Sequence, residues 1–150
     1  MAIFQSAEAL RAAVGQQVGP TDWLVIEQSR IDAFAATTGD HQWIHVDVER
    51  AKNGPYGGTI AHGYLILSLV NLFLPDLVSV PNAKMGINYG VDRLRFPGVV
   101  RAGARIRANA KIVSVEDVPD GVQVKVRVSI EVEGTAKPAC VVDTLSRFYF

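Results

Sequence analysis

The chain lacks several features that would narrow its reading at once. It has one cysteine in 150 residues, which excludes an intrachain disulfide and suits a reducing compartment. Cys140 lies in the apolar run Ala139-Cys140-Val141-Val142, so it reads as a buried inert thiol rather than a nucleophile. Neither charge is in excess. Lys+Arg and Asp+Glu number 15 each, so no basic field points to nucleic acid or an anionic membrane. The longest apolar stretch, Tyr64 to Leu74, is too short to cross a bilayer and carries Ser68 and Asn71. Met1 to Gln16 has neither the basic start nor the continuous apolar core of a secretion signal. Internal repeats and low-complexity tracts are absent, as are a P-loop, a dinucleotide fingerprint and a G-x-S-x-G motif. These absences point to one cytoplasmic domain, residues 1–150, with no nucleic-acid or membrane partner.

What is present is enough apolar residue, 49% of the chain, to build a core. A domain of this size buries roughly 68–70% of its unfolded surface. The periodicity divides the chain into a mainly helical first half and a mainly strand second half. Phe4, Ala7, Leu10 and Val14 have helical spacing, with Ser6 as N-cap. Val18-Gly19-Pro20 reads as a turn and Trp23–Ile26 as a short strand. Ser29 caps a helix through Ile31, Phe34 and Ala35 that ends at Gly39. Asp40–Val46 is then a loop, and Asp47–Lys52 a short capped helix. Ile60–Leu74 is apolar on nearly every side, the pattern of a helix buried all round, with Pro75 as its end. Strands are expected at 84–89, 91–96, 105–115, 121–133 and 139–149. The last three alternate clearly, and Asp120-Gly121 marks a hairpin between two of them. One buried helix and one long antiparallel sheet imply an α+β fold in which the sheet curls around the helix. The helix cannot cover both sheet edges, so pairing with a second copy, a homodimer, is expected.

The stretch Thr38-Gly39-Asp40-His41-Gln42-Trp43-Ile44-His45-Val46-Asp47 carries the chemistry. Asp40 and His45 are a carboxylate and an imidazole set among apolar residues, the pair of groups suited to moving protons near neutral pH. The plain alternative makes Asp40 a turn residue and His45 a core-edge histidine. His41 and His45, four apart, could supply two metal ligands on a helix. Gly39 argues for a loop there and no third ligand sits at fixed spacing, so no metal is expected. His62-Gly63 heads the apolar helix. The Gly63 N–H, unobstructed at the positive end of a buried helix, suits a developing oxyanion; otherwise His62 simply packs and Gly63 permits a tight turn. Gly57-Gly58 allows close backbone approach. Arg93, Arg95, Arg101, Arg105 and Arg107, with Lys84 and Lys111, form either a solvated sheet face or a phosphate-binding patch.

Phe34-x4-Gly39-Asp40-His41-Gln42-Trp43-Ile44-His45-x-Asp47, followed by Gly57-Gly58-Thr59-Ile60-Ala61-His62-Gly63, closely resembles the MaoC-like (R)-specific enoyl-CoA hydratases. Arg95-Phe96-Pro97 with Val99-Val100 is similar to that family's strand after the helix. The resemblance covers nearly the whole chain and implies the hot-dog fold, a curved antiparallel sheet wrapping a long central helix. It implies reversible syn addition of water to a trans-2-enoyl-CoA, giving the (R)-3-hydroxyacyl-CoA. Asp40 and His45 would be the catalytic dyad, the Gly63 amide the oxyanion donor beside His62, and Arg93 and Arg95 candidates for the CoA phosphates. Acyl-CoA is then substrate and no cofactor is needed. Gln42-Trp43 departs from the usual Asn-Pro, as in a subgroup that includes nodulation protein N-like sequences. Asn71 stands near the place where many relatives have a Ser that supports the Asp, and is expected to support Asp40. A hot-dog acyl-CoA thioesterase and a non-catalytic acyl-thioester-binding subunit are the alternatives.

Overall fold

The computed structural model describes residues 1–150. In chain order the elements are β1 (Ala2–Ile3), α1 (Ala7–Ala12), β2 (Gln17–Val18), β3 (Leu24–Val25), α2 (Gln28–Thr38), α3 (Trp43–Val46), α4 (Val48–Ala51), α5 (Gly63–Leu77), β4 (Val78–Ser79), β5 (Met85–Arg95), β6 (Arg105–Val118), β7 (Gly121–Val132) and β8 (Cys140–Tyr149). The main sheet runs β2-β6-β7-β8-β5, with β3 also on β6, and every pairing in it is antiparallel. β1 and β4 form a separate parallel ladder.

The alternation in β7 works as its sequence implies. Val122, Val124, Val126, Val128, Ile130 and Val132 are all buried, and the residues between them are not. This face meets Leu65, Ile66, Leu69, Val70, Phe73 and Leu77 of α5 in one apolar cluster. The sheet therefore bends around α5, the expected α+β hot-dog arrangement. No helix is long and apolar enough to cross a membrane.

Several boundaries differ from the sequence-based expectation, each for a physical reason. α5 begins at Gly63 because Ile60 is held in an antiparallel bridge to Arg101 and the Ala61 N–H donates to the Val100 carbonyl at 2.7 Å. It runs through Pro75 to Leu77; so close to the C-terminus, a missing N–H costs one bond and does not stop the helix. Nor is α5 buried all round. Tyr64, Ser68, Asn71, Leu72, Pro75 and Asp76 form an exposed stripe at helical spacing. Ser6 does cap α1, but the helix stops at Ala12 and leaves Val14 exposed. α2 starts at Gln28, and Ser29 is not its cap. Its C-terminus is as expected, with Gly39 left-handed at φ 80°, a conformation that glycine adopts without penalty. The two strands expected over 84–96 are one strand, β5, whose register shifts on either side of Gly90 absorb the irregularity.

The two edges of the sheet differ. The first is blunted, because β2 and β3 are two-residue pieces separated by Gly19-Pro20. The second, β5, is eleven residues long and exposed along nearly all its length, including Met85, Ile87, Tyr89 and Val91. A cleft of about 460 Å³ separates its Ile87 and Asn88 from Asn71 and Leu74 of α5.

On β8, Asp143 is buried and takes a two-pronged hydrogen bond from Arg127, at 2.7 and 2.8 Å. The Arg127 hydrogen bonds and charge, helped by the charges of Arg93 and Lys125, hold its carboxyl below the usual range. A folded-state pKa that is depressed contributes stability above the unfolded value, near about 3.9, and that stability is lost as pH falls through the folded value. Asp143→Asn should therefore lower stability by about 1–3 kcal/mol at pH 7. In urea titrations the gap from the native protein should narrow at pH 3; an equal gap at both pH values would refute this linkage.

Candidate active site

Asp40 follows the left-handed Gly39 that ends α2, which turns it back toward the start of α5. Its carboxylate accepts a long hydrogen bond from the Gln42 N–H at 3.4 Å. The loop expected over Asp40–Val46 contains a helical turn, Trp43–Val46, which carries His45. The Asp47 side chain then caps α4 by accepting from the Arg50 N–H at 3.0 Å, as its position suggested.

His45 is 7% exposed and firmly held. Its Nδ1 lies 2.7 Å from the Ile60 carbonyl. A carbonyl only accepts, so Nδ1 carries a hydrogen, and in the neutral ring Nε2 keeps a lone pair. Nε2 makes no hydrogen bond within the chain and faces the cleft. The backbone around His45 is fixed as well. The Ile60 N–H donates to the Ile44 carbonyl at 3.0 Å, and the Gln28 amide donates to the His45 carbonyl at 2.8 Å. The Thr59 hydroxyl in turn donates to Gln28. Sequence reasoning missed Gln28 and Thr59 in this supporting role. The only signal was the proximity of Thr59 to His62-Gly63; nothing marked Gln28.

His62 is the N-terminal cap residue of α5 and is 3% exposed. Its ring stacks on that of His45, with centroids 3.8 Å apart and planes 24° from parallel. Its Nε2 lies 2.9 Å from the Asp40 carbonyl. Gly63 opens α5, and its N–H has no acceptor in the chain. A Cβ at Gly63 would stand 3.0 Å from the Phe96 ring, so space rather than backbone angle demands glycine here. Asp40, His45, His62 and Gly63 thus meet in one cleft of about 520 Å³, walled by Phe34, Tyr64 and Phe96.

Other residues singled out in the sequence lie elsewhere. Asn71 is two turns down α5 on the exposed stripe and lines the clefts toward β5, so it does not reach Asp40. Arg105 and Arg107 pair with Glu133 and Glu131 and cover Trp23, which makes them a solvated sheet face. Arg101 donates to the Gly57 carbonyl at 2.7 Å and braces the glycine turn. Arg93 and Arg95 are exposed on β5, with Arg93 opposite Asp143. Arg95 forms no ion pair; its guanidinium donates to the Leu94 carbonyl at 2.6 Å.

The family described as MaoC like domain matches residues 9–134. The chain belongs to the MaoC-like family. It is 48% identical over 149 residues, 99% of each chain, to 3-hydroxyacyl-thioester dehydratase Z of Mycobacterium tuberculosis. It is 38% identical to nodulation protein N of Rhizobium leguminosarum bv. viciae, over 91% of this chain and 87% of that one. In structure it is similar to an (R)-hydratase from A. caviae, with a TM-score of 0.73, 24% identity, and coverage of 89% of this chain and 94% of that one. That likeness extends to the hot-dog fold. Within the MaoC-like pattern, the Gln42-Trp43 departure leaves the cleft clear. Trp43 packs against Gly54 under the Arg50 guanidinium, 4.2 Å away, and is not among the cleft walls.

The sequence paired His41 with His45 as possible metal ligands, but the fold leaves His41 out and gathers Asp40, His45 and His62 instead. A carboxylate oxygen of Asp40 and one ring nitrogen each of His45 and His62 lie within 4.8 Å of one another. Distance alone does not make this a metal site. An imidazole binds an ion in its ring plane, at roughly 2.1 Å, and two stacked rings with nearly parallel planes cannot both aim at one ion. Titration with Zn²⁺ followed calorimetrically should show no saturable site that Asp40→Ala removes; such a site would overturn this geometric argument.

Proposed function

We propose that this protein is an (R)-specific enoyl-thioester hydratase, reversibly a 3-hydroxyacyl-thioester dehydratase, formed by one catalytic domain and acting in the cytoplasm. The observation that carries the reading is the convergence of the Asp40 carboxylate, the open Nε2 of His45 and the unpaired Gly63 N–H in one cleft. The full-length 48% identity to a 3-hydroxyacyl-thioester dehydratase supports it.

The chemistry follows from the positions. The thioester carbonyl accepts from the Gly63 N–H, which favours the enolate that forms when C3 is attacked. His45 Nε2, its partner nitrogen committed to Ile60, takes a proton from a water that the Asp40 carboxylate holds. The hydroxyl bonds to C3, and the dyad returns a proton to C2 on the same face. No electron leaves the substrate, so no redox cofactor is required, and CoA is the handle of the substrate. Arg93 and Arg95 are proposed to meet its phosphates; Arg95 directly precedes Phe96 of the cleft wall. The bare β5 edge and the exposed stripe of α5 support a homodimer, in which a second copy covers apolar surface that the monomer leaves open.

Hydration of crotonyl-CoA, followed by loss of enoyl absorbance, tests the activity. Release of free CoA thiol would indicate the thioesterase instead, and binding without turnover the non-catalytic subunit. Asp40→Asn and His45→Gln should each lower turnover by roughly 10²–10⁴-fold with the fold intact. Near-native turnover in either would remove that residue from the dyad. Light scattering should give twice the chain mass of 16.2 kDa at low micromolar concentration; a mass near 16.2 kDa across a dilution series would rule the dimer out.

A further inference from the structure

His62 is placed unlike a substrate-binding residue. Its Nε2 is used on the Asp40 carbonyl, its ring face lies on His45, and the next residue is Gly63. Its Nδ1 is the one buried side-chain nitrogen or oxygen in the protein with no hydrogen-bond partner. The carbonyl of Asp40 requires a hydrogen on Nε2, which in the neutral ring leaves a lone pair on Nδ1. Such an orphan is unfavourable. The same ring donates to the Asp40 carbonyl and stacks on His45, so its donor and its face are both in use.

We propose that His62 is a positioning residue that fixes both members of the dyad. Its N–H sets the place of Asp40, and its ring face sets the plane of His45. Asp40 needs this anchor. It is exposed, it follows a glycine, and its other local hydrogen bonds are long, at 3.4 Å to Thr38 and to Gln42. The His45 ring has its edge fixed by the Ile60 carbonyl and its face by His62, while Gln28 holds the His45 backbone carbonyl. The titratable groups that face the stack across the cleft are Asp40 and Tyr64, and no Lys, Arg or Glu lines it. Two positive rings 3.8 Å apart would repel each other, and the ring whose Nε2 opens to the cleft, His45, is the one placed to exchange a proton with a bound water. Phe34, tilted against His62 with ring centroids 4.9 Å apart, adds to the packing.

This inference rests on the hydratase reading, and its test separates the two. Long-range ¹⁵N–¹H NMR at neutral pH needs no activity. It should show His62 as the Nε2–H tautomer and His45 as the Nδ1–H tautomer. His62 found as the Nδ1–H tautomer, or charged, overturns the proposal whatever the enzyme does. In the crotonyl-CoA assay, His62→Phe keeps a ring and drops the N–H, while His62→Gln keeps an N–H and drops the ring. Each should lower kcat by about 10–100-fold with KM unchanged, the signature of misplaced groups rather than lost substrate binding. Circular dichroism should show both variants folded. Should one of them unfold, the tautomers found by NMR in the wild-type protein still decide the proposal. A rise in KM at constant kcat would assign His62 to substrate binding, and native kinetics in either variant would refute its half of the role. A wild-type protein without turnover, but with the stated tautomers, would refute the hydratase reading and leave the anchoring geometry standing.

Discussion

Three residues of extended backbone, Ile60 to His62, organise the site. Ile60 bridges to Arg101 and bonds Ile44, its carbonyl accepts from His45, and the Ala61 N–H is taken by Val100. This pins the start of α5 against the sheet side and against the turn that carries His45. Because the segment is extended, the helix cannot begin before Gly63, and its first N–H groups are left without acceptors. A helix drawn four residues longer would have satisfied those donors internally and closed the site. The unpaired N–H at Gly63 and the hydrogen on His45 Nδ1 are thus two consequences of one constraint.

The placement of polar groups shows the same economy. The outer sheet face neutralises its arginines locally, Arg105 with Glu133 and Arg107 with Glu131, around Trp23. These exposed pairs contribute little to stability, but they take those cations out of consideration for a ligand. Burial at Asp143 demands the fuller bidentate partner it receives from Arg127. At Cys140, burial without a charged partner pushes the thiol up to about 11, which keeps it protonated and unreactive. In the cleft Asp40, His45 and His62 are brought close without an ion pair.

Alternating strands such as β7 were legible because a period of two has one physical solution, a sheet with one buried face. The end of α2 was legible because Gly39 is required by its left-handed backbone. The beginning of α5 was not, since Ile60 and Ala61 are apolar in a strand, a bridge or a helix alike, and only contact with Arg101 and Val100 decides among them. Gly90 looked like a break between strands because a single chain cannot reveal that β8 tolerates a bulge opposite it. Asn71 was offered as a partner for Asp40 by its nearness to the serine position of MaoC-like relatives, but packing decides which stripe of α5 faces out, and Asn71 lies on it.

By itself the sequence determined the candidate site groups and the class of fold: a carboxylate and imidazole in one motif, a glycine at a helix start, and apolar periodicity that requires a sheet around a helix. Tertiary structure alone decided which partners His62 takes, which nitrogen of His45 is open, and that Trp43 and Asn71 stand clear of Asp40 and His45. The physical reason is that residue type and spacing specify what a side chain can donate, accept or bury. Which of these it does depends on partners far away in the chain, as Ile60 is to His45 and Asp40 to His62.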